Sequence, residues 1–249
     1  RGPMNFSTNE QCGFLIEGFD TPPMIMTPHN PGYYNQLLEA SGYKKAKDLL
    51  AFITDVPEKL PDKVERVASI ARKNGVTTRR VTRKTFYDDL KAFQEIYNDA
   101  WKDNWGFVPL EDDELQFLGK RLKPVFVPEL TLVAEKNGEP IGFLGLLPDF
   151  NRVLRRMKGK LSPVSVLKAI FEYRKIKDLR LLLLGIRPKY RNRGVDALLF
   201  SDAFPHVRGK GYERVEFSWI LEDNLPVIRL VEMIEGRLYK KFRVYEKSV

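Results

Sequence analysis

Apolar positions along this chain follow two periods, one near two residues and one near 3.6, and the changes between them mark its elements. Thr85 to Trp101 puts Phe86, Leu90, Phe93 and Tyr97 on one helical face. Glu111 to Leu122 reads as a second helix, opening on acidic residues. Leu130 to Glu135 and Ile141 to Leu147 are apolar runs joined by Asn137-Gly138, the strongest short signal for a hairpin. Leu181 to Ile186 is an apolar run of strand length, and Arg214 to Ile220 alternates as a strand. Between them a helix begins at Val195. A further helix follows the cap Asn224 and ends near Gly236, and Arg237 to Lys247 reads as a last strand. With Val76 to Arg83 extended, the order from Val76 is β–α–α–β–β–insert–β–α–β–α–β.

The first 56 residues read differently. Phe14-Leu15-Ile16 is a short strand. Asn30-Pro31 predicts a helix start that runs through Leu37-Leu38 to Gly42, and Leu49 to Ile53 is a strand or a helix extension. Pro57 to Pro61 is a linker, and Asp62 to Lys73 is helical with Gly75 past its end. Asn30 and Asn224 each open a helix that closes on a glycine twelve residues on, followed by paired lysines. This faint repeat predicts residues 1–56 as the end of a truncated domain, 57–75 as a linker helix and 76–249 as a complete domain carrying a helical insert at 151–178. A chain opening on Arg1 without an initiator Met fits a piece of something longer.

Composition narrows the class. The 249 residues can bury a large core, and no window is apolar for long enough to span a membrane. One cysteine, Cys12, excludes an intrachain disulfide, and with only two histidines no Cys/His zinc site is expected. Cys12 reads as a small buried residue, and the setting as a reducing cytoplasm. The net charge is +9, and most of it lies between Arg152 and Arg180, where ten basic residues stand against two acidic ones. That points to an anionic partner: a phosphorylated cofactor, a nucleic acid or a membrane surface. No nucleic-acid motif accompanies it. The reading preferred for this segment is a solvated face with a general attraction for phosphate.

The candidate chemistry lies in Leu181 to Phe200. A strand ends at Gly185-Ile186, Pro188 stops it, Tyr190 to Gly194 is a basic glycine turn, and a helix follows. A helix start presents free N–H groups and the positive end of its dipole, a ready phosphate site, and Arg191 and Arg193 add full charges.

These residues and the element order resemble the GNAT superfamily of acyl-CoA N-acyltransferases. The family turn reads Gln/Arg-x-x-Gly-x-Gly/Ala. Arg191 and Gly194 match it, while Asp196 takes the last place with Ala197 one later. Trp101-x-x-x-Trp105-Gly106-Phe107 and Ser218 to Asn224 are similar to a bacterial subgroup of GNAT-like proteins, which supplies no reaction. The resemblance implies a mixed α/β (α+β) fold, with a central, mostly antiparallel sheet flanked by helices. It implies acetyl-CoA or another acyl-CoA as co-substrate, no metal, and a small-molecule or peptide amine as acceptor. The cofactor would be held by Gly185, Ile186, Arg191, Asn192, Arg193, Gly194, Val195, Asp196, Ala197 and Asn224.

Direct transfer of an acyl group from a thioester to an amine needs an oxyanion donor, a base and an acid. The resemblance makes the amide of Ile186 the donor. It puts a tyrosine seven residues after the capping Asn as the acid, but Val231 stands there. Tyr239 and Tyr245 lie nearby on the last strand, with Tyr239 as the candidate, and Glu216, Glu222 and Asp223 are the candidate bases. Each also has an ordinary reading, Glu216 as a solvated strand position and Glu222 as an acid before a helix cap. Trp101, Asn104 and Trp105 would border the acceptor. Two alternatives to catalysis stand: a module that binds acyl-CoA or another phosphorylated ligand without reaction, and a membrane- or nucleic-acid-binding protein using 152–180.

Overall fold

The computed structural model describes residues 1–5, 7–160 and 162–248. The described residues form eight strands and eight α-helices. They fall into two compact units, one made of Arg1–Asp55, Pro148–Arg180 and Arg214–Val249, the other of Val56–Leu147 and Leu181–Glu213. The fold is mixed α/β, with mostly antiparallel sheet and flanking helices.

In the first unit the strands run in the order β1 (Phe14–Glu17), β8 (Arg237–Glu246), β2 (Lys44–Asp55), β7 (Arg214–Leu221). All three pairings are antiparallel. β2 is therefore an interior strand, bonded along both edges. Leu49, Leu50, Ala51 and Phe52 are all buried, so both faces of β2 are covered here, whereas a strand with one wet face would alternate. Residues 1–55 thus share a unit with the end of the chain, and 76–249 contributes to both units. The ladder places β2 between β7 and β8. The unit also holds α1 (Tyr33–Ala40), α5 (Asn151–Met157), α6 (Pro163–Tyr173) and α8 (Leu225–Met233). Asn30 does not cap α1. Its buried Oδ1 accepts the amide of Leu15 at 2.7 Å, and Gly32 takes the cap position.

In the second unit the order is β6 (Asp178–Ile186, which starts in the first unit), β5 (Glu139–Pro148), β4 (Thr131–Lys136), β3 (Val76–Arg80). β4 and β5 form the expected hairpin, with Asn137 and Gly138 both at positive φ, 54° and 78°, as a tight two-residue turn requires. Helices α3 (Phe86–Trp101) and α4 (Asp112–Leu122) supply Phe86, Leu90, Phe93, Ile96 and Leu115 to one core with Val133 and Phe143 of the sheet. α2 (Asp62–Lys73) packs on α7 (Val195–Gly209).

Candidate active site

β6 ends at Ile186, and a short 3-10 turn at Pro188–Tyr190 carries the chain to Arg191. Asn192 and Gly194 then adopt left-handed backbone, φ 57° and 77°, and α7 starts at Val195. The chain makes a hydrogen-bonded turn over 191–194, and at the start of α7 Leu198 N–H bonds Gly194 O at 2.9 Å. A helix start presents its first N–H groups and the positive end of its dipole, which suits an anion. Gly194 is fixed by contact as well as by φ. A Cβ there would stand 2.5 Å from Val67 O on α2. Val195 is buried, Asp196 and Ala197 are half-buried, and Arg193 is exposed. Asp196 sits in the first turn of α7, where the dipole favours an acid. Arg191 spends one guanidinium nitrogen on the carbonyl of Ala100 near the end of α3, fastening the loop to that helix.

Gly185 is covered by Trp101, whose ring would lie 2.5 Å from an added Cβ. Trp101 in turn stacks on Tyr97 at 4.9 Å between centroids. Arg187 donates its amide to Ile141 O of β5 at 2.9 Å, so the amide of Ile186 points to the other edge of the strand. Asn104 and Trp105 follow in the α3–α4 connection, with Asn104 N–H bonded to Trp101 O at 2.8 Å. The second unit therefore gathers every predicted cofactor and acceptor residue except Asn224. Asn224 belongs to the first unit and accepts the amide of Val227, as a helix cap does.

An apolar cavity of about 50 Å³ opens among α3, α4, β4, β5 and β6, walled by Leu90, Phe93, Phe126, Phe143 and Leu183. Its walls are mostly hydrocarbon, with Thr131 and Asp89 as the polar exceptions. The acid in its wall is Asp89. One of its oxygens meets Arg79 at 2.6 Å, and the other is buried with no partner among the described residues. No spacing in the sequence announced the cavity, since its walls come from five separate elements.

The first unit holds the candidate proton carriers. Glu216 is wholly buried, not on a solvated face. Its carboxylate accepts from Ser218 Oγ at 2.5 Å and from the hydroxyl of Tyr239, and Arg180 Nε lies 3.4 Å away. Arg180 also donates to Ser218 Oγ at 2.9 Å and to Ile25 O at 2.6 Å. Burial pushes the Glu216 carboxyl up from its ordinary value, and Arg180 opposes this. Arg180, 2% exposed, is thus no part of a basic surface. Glu222 lies elsewhere in the unit. It accepts from Lys45 Nζ at 2.5 Å and from the amide of Asp48 at 3.0 Å, tying β7 to β2. Val231 is 1% exposed, an ordinary core residue where a tyrosine was sought. Burial pushes the Cys12 thiol up to about 12, so it is inert. No cluster of metal-ligating side chains occurs among the described residues.

Residues 90–234 match the acetyltransferase (GNAT) family. The chain belongs to this family. Two relatives align with the whole of this GNAT chain. It is 35% identical over 254 residues to "Bacterial ceramide synthase" of Caulobacter vibrioides (strain NA1000 / CB15N) and 34% identical over 263 residues to "Protein YghO" of Escherichia coli (strain K12). It spans 66% and 65% of their own lengths. Among solved structures, a GCN5-related N-acetyltransferase from Sphaerobacter thermophilus shares the GNAT fold with a TM-score of 0.55 at 15% identity, covering 89% of this chain and 59% of that one.

Proposed function

We propose that this chain is the transferase portion of an acyl-CoA-dependent N-acyltransferase whose acceptor is a long-chain aliphatic amine. The observation that carries the cofactor assignment is the start of α7 behind the left-handed turn at Asn192 and Gly194, where the glycine cannot be replaced without a clash. The donor set fits a pyrophosphate: the first amides of α7 and the exposed Arg193, with Asp196 in the first turn where the helix dipole tolerates an acid. Acyl-CoA supplies the activated thioester. In the proposed roles, residues 192–197 hold its phosphates, Trp101 and Gly185 seat the thioester, and Ile186 N–H faces the oxygen on which charge develops. The amine nitrogen forms the amide bond, the carbon–sulfur bond breaks, the amine loses a proton and the thiolate gains one. Tyr239, backed by Glu216, is the pair proposed to carry protons.

Two features favour an aliphatic acceptor over a peptide. The cavity beneath α3 and α4 is apolar. The relative from Caulobacter vibrioides is named a ceramide synthase, and ceramides are N-acylated long-chain amines. We place the reaction with the acyl-CoA pool, in the cytoplasm. The test is thiol release from palmitoyl-CoA and acetyl-CoA in the presence of sphinganine, with the amide identified by mass spectrometry. Release with sphinganine and not with short amines is expected. Calorimetric binding of acyl-CoA with no release across amines would instead support the binding module, the reading that the buried Val231 favours. No binding at all overturns both.

A further inference from the structure

The hairpin of α5 and α6 carries its apolar face on the outside. No residue of α6 is buried. Its half-buried positions, Ser165, Ala169 and Glu172, share one side, from which Glu172 meets Arg156 of α5 at 3.9 Å. At 3.6 residues per turn the opposite arc, about 180° wide, carries Val164, Val166, Leu167, Ile170, Phe171 and Tyr173. These six are 38% to 62% exposed, and Leu154 of α5 is 57% exposed. A helix packed on a globular core turns such an arc inward.

Cations frame the arc. Arg155, Arg156, Lys158 and Lys160 lie on α5 and the connection, and Lys168, Arg174 and Lys175 lie on and just after α6, all exposed. Glu172 is the one acid between 151 and 177, and Lys175 engages it at 3.0 Å. An apolar arc rimmed by cations fits an anionic bilayer surface, with the side chains among the acyl chains and the cations at the phosphates. Pairing with a second copy would bring two sets of like charges together. A nucleic acid would satisfy the charges and leave six large apolar side chains against phosphates.

We propose that the α5–α6 hairpin docks this protein on the headgroup region of an anionic bilayer. The proposal stands independently of acyl transfer. It is tested by sedimenting the full chain with phosphatidylcholine vesicles and with phosphatidylcholine–phosphatidylglycerol vesicles. Binding to the mixed vesicles, weakened by salt, is expected. Leu167→Ser with Phe171→Ser, and separately Arg155→Glu with Arg156→Glu, each weaken it by at least about tenfold, with the melting temperature unchanged because these side chains are exposed. Unaltered partition of the Leu167→Ser/Phe171→Ser protein overturns the proposal. So does a dimer that this variant converts to monomer while neither protein binds vesicles, or tight DNA binding with none to vesicles.

Discussion

The indole of Trp101 rests directly on Gly185, with two ring carbons 2.5 Å from where a Cβ would stand. Gly185 is therefore glycine because of its neighbour across the strand end, not because of its own backbone. Gly185→Ala must lift the ring. The ring is half-buried and can yield, so the expected cost is about 1 kcal/mol, the low end for overpacking. Its effect on function is expected to be larger, since the proposed thioester seat moves with the ring. Chemical denaturation set beside kcat/KM for acyl-CoA separates the two: a small stability loss with at least about a tenfold activity loss.

Gly194 is different, because contact and backbone act together. Its φ is 77°, and Val67 O stands 2.5 Å from a Cβ. Backbone cannot yield as a ring does. Gly194→Ala is expected to cost about 2–3 kcal/mol and to pull α2 from α7. Calorimetry should show acyl-CoA binding lost even below the melting temperature, because the amides of the turn no longer converge.

The strands and helices from Val76 onward were legible because their periodicity is local. So was the turn before α7, whose signal is contiguous in sequence. The buried cluster was not. Glu216 alternates with Val215 and Phe217 as a wet position would, and only the packing around β7 removes the water. Arg180 reads as one more charge in a basic run until its partners Glu216, Ser218 and Ile25 O are assembled from distant segments. The placement of residues 1–55 beside the end of the chain was not legible for the same reason. Nothing local in Leu49 to Phe52 reveals that β2 has a strand on each side.

β2 also carries the clearest pH dependence. Asp48 is 5% exposed and accepts both Arg243 Nε at 2.8 Å and Nη2 at 3.0 Å, with Lys45 Nζ at 3.0 Å. Burial alone would raise its carboxyl, but the hydrogen bonds from Arg243 and Lys45 prevail and hold it below its ordinary value. A folded pKa below the unfolded one, about 3.9, gives stability that is present above that pH and is lost as pH falls through the folded value. Asp48→Asn is expected to cost about 3 kcal/mol at neutral pH. Urea melts from pH 7 downward should show the gap between variant and wild type closing below about pH 4.

Tyr239 gives a test of the proposed proton carriers. Its hydroxyl donates to Glu216, so Tyr239→Phe leaves a buried carboxylate oxygen one donor short, at about 1–2 kcal/mol. If that were its whole role, kcat would follow the small loss in folded protein. As a proton carrier, its removal lowers kcat by about 100-fold or more with KM for acyl-CoA unchanged, and one limb of the pH–rate profile disappears. Rate measurements well below the melting temperature distinguish these outcomes.

The cavity wall gives a prediction about chain length. Leu183 lines the space on β6 beside Phe93 and Phe143, and the space amounts to about 50 Å³. Leu183→Trp fills much of it. Leu183 is only half-buried, so the added ring can be accommodated at about 1 kcal/mol of strain. A chain that placed methylenes there loses their transfer energy, about 0.8 kcal/mol for each, or roughly tenfold for two. The variant is therefore expected to lose at least about tenfold in kcat/KM for long-chain amines or acyl groups while short ones react as before. An equal loss for short and long substrates would mean that the cavity is a packing defect of the core and takes no part in substrate choice.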